Sequence, residues 1–212
     1  MIPLEIWSDP ICPWCLIGKT RLDRALESRP DHPFDIRWRP FQLNPDMPAE
    51  GMKRDEYMSL KFGDADGVLN AYRPVVEAAE NSGLTLDLPA ITRTPNTLNA
   101  HRLIHWAGLE GRQTAIVSTL FRAYFQQGRD IGDAATLLEL AEGCGMDRAM
   151  TARLLNSDAD AQLVRDADRD ARARGIQGVP CFILNGEYAI TGAQPVTLWQ
   201  EVIDDLQGGT AT

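Results

Sequence analysis

The chain has 212 residues, with 30 Asp and Glu against 21 Lys and Arg, a formal charge of −9, and 44% apolar and 24% charged residues. These are the proportions of a folded globular protein and exclude a disordered or collagen-like chain. The acidic balance argues against nucleic acid and anionic membrane surfaces as partners, because phosphate-rich surfaces reward the opposite charge.

No apolar run approaches the ~18 residues of a membrane-spanning helix. The start, Met1-Ile2-Pro3-Leu4-Glu5, lacks the basic and apolar segments of a secretory leader, so the sequence predicts a cytoplasmic protein. In chain order, residues 3–8 predict a first strand, which Asp9-Pro10 ends. A helix starts at Pro13, whose missing N–H would be unpaired at a first helical position in any case. Cys15, Gly18, Leu22 and Leu26 recur at three- and four-residue spacing and share one face of it. Phe34, Ile36 and Trp38 alternate with charged residues, a period of two that predicts a second strand over 34–39. A β-α-β unit this short favours a parallel pair with a right-handed crossover.

Three prolines among residues 40–48 make a connector, and 53–174 then read as mostly helical, broken by Gly and Pro. Amphipathic segments stand at 97–108, 114–127 and 134–142, and the piece 157–174 runs from acidic to basic, which suits the helix dipole. Strand character returns at 181–184. Asn185-Gly186 is a strong two-residue hairpin signal because both positions need φ > 0, with a return strand at 187–191. A final helix spans 196–206, and 208–212 read as a flexible tail. The fold class is α/β: β-α-β, then β-β-α, interrupted by a large all-helical insertion. Residues 1–48 and 175–207 form one domain and 53–174 the insertion.

Of four cysteines, Cys12 and Cys15 form a C-x-x-C at the mouth of the first helix, while Cys144 and Cys181 stand alone. At the N-cap, Cys12 faces first-turn N–H groups that lack intrahelical partners, which favours a thiolate. It is expected to be the more exposed cysteine. Cys15 belongs to the buried stripe and is expected to be sheltered. One activated sulfur beside one sheltered sulfur is what dithiol exchange needs: the first attacks a disulfide and the second resolves the mixed intermediate. Zinc usually needs a second C-x-x-C at comparable spacing, which is absent, so no metal is expected. Trp14 can face a substrate or pack on the insertion. His101 and His105 lie four apart but lack the Glu of a metalloprotease helix.

Gly178-Val179-Pro180 precedes the third main strand. With the β-α-β…β-β-α order, it resembles the thioredoxin superfamily, where a cis-proline at this point faces the C-x-x-C. The split by a helical insertion is similar to the DsbA family. Residues 9–15, 39–45 and 192–195, together with Asn96-Thr97 and Ala100-His101-Arg102-Leu103, resemble its FrnE-like branch. The resemblance covers essentially the whole chain. It implies a thiol–disulfide oxidoreductase with Cys12 as nucleophile, Cys15 as resolving thiol and Pro180 as the cis-proline. It also implies substrate contacts at Pro13, Trp14 and Val179 and a groove that His101 helps to line.

The same branch contains 2-hydroxychromene-2-carboxylate isomerases and kappa-class glutathione transferases, which typically carry serine where Cys12 stands. A glutathione-dependent isomerase or transferase is therefore the alternative, and a non-enzymatic holdase or binding module a further one. Expected partners are protein or small-molecule thiols and disulfides, with no bound cofactor and glutathione a candidate co-substrate. Monomer and homodimer both stay open, as does a redox part for Cys181.

Overall fold

The computed structural model describes residues 1–208. It opens with β1 (Ile2–Ser8), α1 (Pro13–Ser28) and β2 (Phe34–Pro40). The insertion follows with β3 (Met52–Lys53), α2 (Arg54–Phe62), α3 (Ala65–Asn81), β4 (Arg93–Thr94) and α4 (Leu98–Leu109). It continues through α5 (Gln113–Gln127), α6 (Ala134–Gly143), α7 (Arg148–Leu155) and α8 (Ala161–Ala173). The chain then returns to β5 (Cys181–Leu184), β6 (Tyr188–Thr191) and α9 (Val196–Gly208).

The sequence-separated halves build one sheet in the order β2-β1-β5-β6. β1 and β2 are parallel, with Ile6 opposite Trp38, and β5 adds antiparallel to β1, with Ile6 opposite Phe182. Asn185 (φ 54°) and Gly186 (φ 75°) make the β5–β6 turn in the left-handed conformations that such a hairpin demands. On one face α9 packs beside α1 and presents Trp199 edge-on to Phe182, with ring centroids 4.7 Å apart.

The insertion is helical as read from the sequence, apart from the two-residue antiparallel ladder β3–β4. Two residues are too short for a period of two to show. The ladder depends on close approach at Gly51 (φ 70°), where a Cβ would lie 2.7 Å from the Thr94 carbonyl. The piece read as 157–174 begins its helix only at Ala161, and α7 lies ahead of it as a separate element. Asp64, Asp133 and Asp147 cap α3, α6 and α7, each accepting a first-turn N–H.

Segments 1–48 and 175–207 supply the four-stranded sheet, and the helices of 53–174 join its core. Leu4, Phe34 and Phe182 from the sheet belong to one buried cluster with Leu103, Leu120 and Phe121 from α4 and α5. The edge strand β2 is covered by α5. The Trp38 N–H donates to Gln113 Oε1 (2.8 Å), and Gln113 Nε2 donates back to the Trp38 carbonyl (3.2 Å). Open edge groups are thereby satisfied. No helix of the described residues is long and apolar enough to cross a membrane. Of the predicted tail, Gly208 ends α9 and 209–212 lie outside the described residues.

Candidate active site

β1 carries the chain into a tight turn held by Asp9. The Cys12 N–H donates to the Asp9 carbonyl (2.9 Å), while the Asp9 carboxylate accepts from the N–H groups of Ile11 (3.4 Å) and Leu43 (2.7 Å). This buried side chain ties the C-x-x-C turn to the connector after β2. Cys12 caps α1 in extended conformation (φ −90°, ψ 114°), and its carbonyl accepts from the N–H groups of Cys15 (3.1 Å) and Leu16 (3.3 Å).

Its sulfur behaves differently from the sequence reading. It makes no capping hydrogen bond, and instead the thiol donates to the Val179 carbonyl at 3.6 Å. Pro13 has no N–H to give, and the N–H groups of Cys15 and Leu16 are spent on the Cys12 carbonyl. The sulfur therefore finds its partner across the fold. The exposure expectation also needs correction. Cys12 is only 4% exposed, little more than Cys15 at 1%, whereas Cys144 is half-buried. The Val179 loop and α2–α3 wall Cys12 in.

Cys15 lies one turn into α1. Burial pushes its thiol well above the usual value, and the hydrogen bond and charge of the Cys12 sulfur add to that. The Ser8 hydroxyl and the Asp9 N–H pull in the other direction. All four cysteines are free. The Val179–Pro180 bond is cis, as the resemblance implies. The Pro180 ring sits against α1 at Gly18, where a Cβ would come to 3.0 Å from its Cγ and 3.5 Å from the Ala193 Cα. Cys181 follows, buried at the start of β5, and burial raises its pKa.

A groove of about 390 Å³ opens between this turn and α2–α3. Cys12, Pro13, Trp14 and Val179 line it together, so four of the residues singled out in the sequence converge. Trp14 lines the groove and also packs on the Ile17–Val75 cluster beneath α3. Pro180 lies behind Val179, bordering a neighbouring depression with Cys181. His101 does not reach the groove. It is buried on α4 in a small cleft with Ser8, Pro10 and Trp38, its Nε2 unpartnered and 3.7 Å from Asp9 Oδ1. The helix packs this side chain against the β1 turn at Ser8, Asp9 and Pro10, outside the groove lining. Sequence reasoning missed Ser8 and the insertion's contribution to the groove, including Arg54, Tyr57, Lys61 and Tyr72. No motif marks those four; only the spacing of Arg54, Tyr57 and Lys61 on one helix face hints that they act together.

The layout has known counterparts. Residues 3–204 match the family model of the DSBA-like thioredoxin domain. The chain belongs to this family. The crystal structure of a probable DsbA oxidoreductase from Streptomyces coelicolor superimposes with a TM-score of 0.85 at 30% identity, covering 100% of this chain and 92% of that one. The uncharacterized protein YwbO of Bacillus subtilis is 27% identical over 97% of this chain and 98% of its own length. The cytosolic disulfide reductase DsbM from Pseudomonas aeruginosa, solved with GSH, shares the fold at 18% identity and a TM-score of 0.70, with 97% and 99% of the two chains covered. Membership in the DSBA-like family supports a redox enzyme in general terms.

Proposed function

We propose that the protein is a thiol–disulfide oxidoreductase working by exchange at Cys12 and Cys15. The observation that carries this reading is the pair itself: Cys12 opens onto the groove, and Cys15 is buried directly behind it, where burial pushes its thiol up. In the reducing direction, the Cys12 thiolate attacks one sulfur of a substrate disulfide, forming a mixed disulfide and releasing one substrate thiolate. Cys15 then gives up its proton and attacks the Cys12 sulfur. The protein disulfide forms, the second substrate thiolate leaves, and two electrons have passed from protein to substrate.

Burial keeps Cys15 protonated until that second step. Pro13, Trp14 and Val179 supply the substrate-facing surface, with Pro180 beneath them. Glutathione, which the Pseudomonas aeruginosa reductase holds, is the first low-molecular-weight thiol to test as the partner that resets the pair.

An insulin-reduction assay with dithiothreitol as electron source tests the reading. Wild type accelerates reduction, Cys12→Ser abolishes the acceleration, and Cys15→Ser accumulates mixed disulfide. Acceleration that persists in Cys12→Ser removes the proposal, and glutathione-dependent isomerisation of a chromene carboxylate surviving that change favours the isomerase alternative.

A further inference from the structure

The groove's outer wall is one face of α2. Arg54, Tyr57, Met58 and Lys61 recur at i, i+3, i+4 and i+7 and so line up on one side of the helix. Two of the four are cations. No Asp or Glu lines the groove, although the chain has 30 acids against 21 bases. The neighbouring acid of α2, Asp55, borders a separate depression on the far side of Arg54.

Both cations are positioned by neutral oxygens. Arg54 Nε and Nη2 donate to the Tyr72 hydroxyl (3.2 and 2.8 Å), and Nη1 donates to Thr94 Oγ1 (3.1 Å) and to the Tyr124 hydroxyl (3.4 Å). Lys61 Nζ donates to the Tyr57 hydroxyl (2.8 Å). Neither forms an ion pair with a carboxylate among the described residues, whereas Lys19, Arg39 and Arg172 all do. Two oriented, uncompensated positive charges over an apolar floor that holds a reactive sulfur make a complementary site for an anion attached to an apolar disulfide.

We propose that Arg54 and Lys61 are specificity-determining residues that select low-molecular-weight disulfides bearing carboxylates. The volume, about 390 Å³, suits a small molecule. The apolar arm of such a substrate lies along Trp14 and Val179, its carboxylate meets the α2 cations, and its sulfur meets Cys12. This assignment rests on the exchange reading above and adds the substrate class to it. The step is the balanced one already given: one substrate disulfide becomes two thiols while Cys12 and Cys15 lose two electrons to form a disulfide.

The test uses fully reduced protein and two disulfides of matched shape, 3,3′-dithiodipropionate and its neutral diamide, following loss of protein thiols in single turnover. Dividing the anionic by the neutral rate constant cancels most effects on the chemistry itself. That ratio is expected to fall about threefold in Lys61→Gln, the order expected for an exposed charge, and further in Lys61→Glu. In wild type it should also fall as salt rises. Lys61 is exposed, so these variants retain the fold, checked by circular dichroism. An unchanged ratio in both variants overturns the assignment. If wild type reacts with neither disulfide, the exchange reading fails separately. Alkylation of Cys12 by iodoacetate against iodoacetamide then still decides: a ratio lowered by Lys61→Glu upholds the cationic wall, and an unaltered one removes it.

Discussion

The two halves of the insertion bury themselves to very different degrees. α4 and α5 sink Leu103, Leu120, Phe121 and Tyr124 into the cluster they share with the sheet, and Gln113 stitches α5 to β2. α2 buries only Met58, α3 only Val75 and Ala79, and Leu60, Phe62 and Leu69 stand exposed on them. The α4–α5 half braces the sheet behind the cysteines. The α2–α3 half supplies the groove wall across from them. Cations show the same division. Arg102 on α4 donates to the carbonyls of Ala159 (2.7 Å) and Leu154 (2.7 Å) and stacks on Trp106, so its charge is spent on holding α7 and the loop ahead of α8. Arg54 and Lys61 on α2 meet hydroxyls and the rings of Tyr57, Tyr72 and Phe62 but form no ion pair among the described residues, and both border the groove. Rigidity on one side and unspent charge on the other is a division of labour between scaffold and recognition surface.

The largest test of that contrast compares two phenylalanines. Phe121→Ala removes a fully buried ring from α5 and is expected to cost ~3–5 kcal/mol of unfolding free energy in urea titration. Phe62→Ala, on the groove wall, should stay within ~1 kcal/mol, as surface changes do. Comparable losses would show that α2–α3 is as tightly integrated as α4–α5.

A middle-sized effect lies on the scaffold side of the cysteines. Gly18→Ala places a methyl 3.0 Å from the Pro180 ring and 3.5 Å from the Ala193 backbone, with Phe182 Cζ also at 3.5 Å. Three sides leave little room to yield, so a loss of ~1–3 kcal/mol is expected from overpacking. Disulfide turnover should fall as well, because the ring moves relative to Cys12. A variant as stable and active as wild type would mean that α1 and the Val179–Pro180 loop are free to separate.

These contrasts also mark what could be read in advance. Period-two alternation at Phe34, Ile36 and Trp38 and the Asn185-Gly186 turn are local signals, and the strands stand where those signals put them. The spacing of Cys12 and Cys15 is local too. The partner of the Cys12 thiol is Val179, 167 residues away, and no periodicity specifies such a contact. His101 sits in a motif that resembles one from the family, yet which way α4 turns it depends on packing against β1 and β2. Arg54 and Lys61 belong to no motif in the sequence. Only the folded chain shows that they share a groove with a sulfur, that no acid lines it, and that neither forms an ion pair among the described residues.

The last effect, graded by pH, separates Cys15 from the rest of the molecule by its proton. Burial and the adjacent Cys12 sulfur raise the Cys15 thiol in the folded state, and burial raises Cys181 as well. A thiol in the unfolded chain titrates near ~8.5. Below that value both states carry the proton, and the contribution to stability is fully present. As pH climbs past it, the unfolded state loses its proton while folded Cys15 keeps it, so stability declines by up to ~1.4 kcal/mol per pH unit for each such thiol. The decline ends once pH passes the folded value. Reduced protein, kept so with a phosphine reductant, should therefore lose stability between pH 8 and 10 in denaturant titrations. Cys15→Ala should flatten that slope by about one proton's worth, and Cys181→Ala should remove a further part. Lysines and tyrosines that titrate in the same range contribute to every variant alike and cancel in the comparison. If Cys15→Ala shows the wild-type slope, the sulfur behind Cys12 is not held in its protonated form by the fold. The reading in which Cys15 waits as a thiol until the mixed disulfide forms then loses its physical basis.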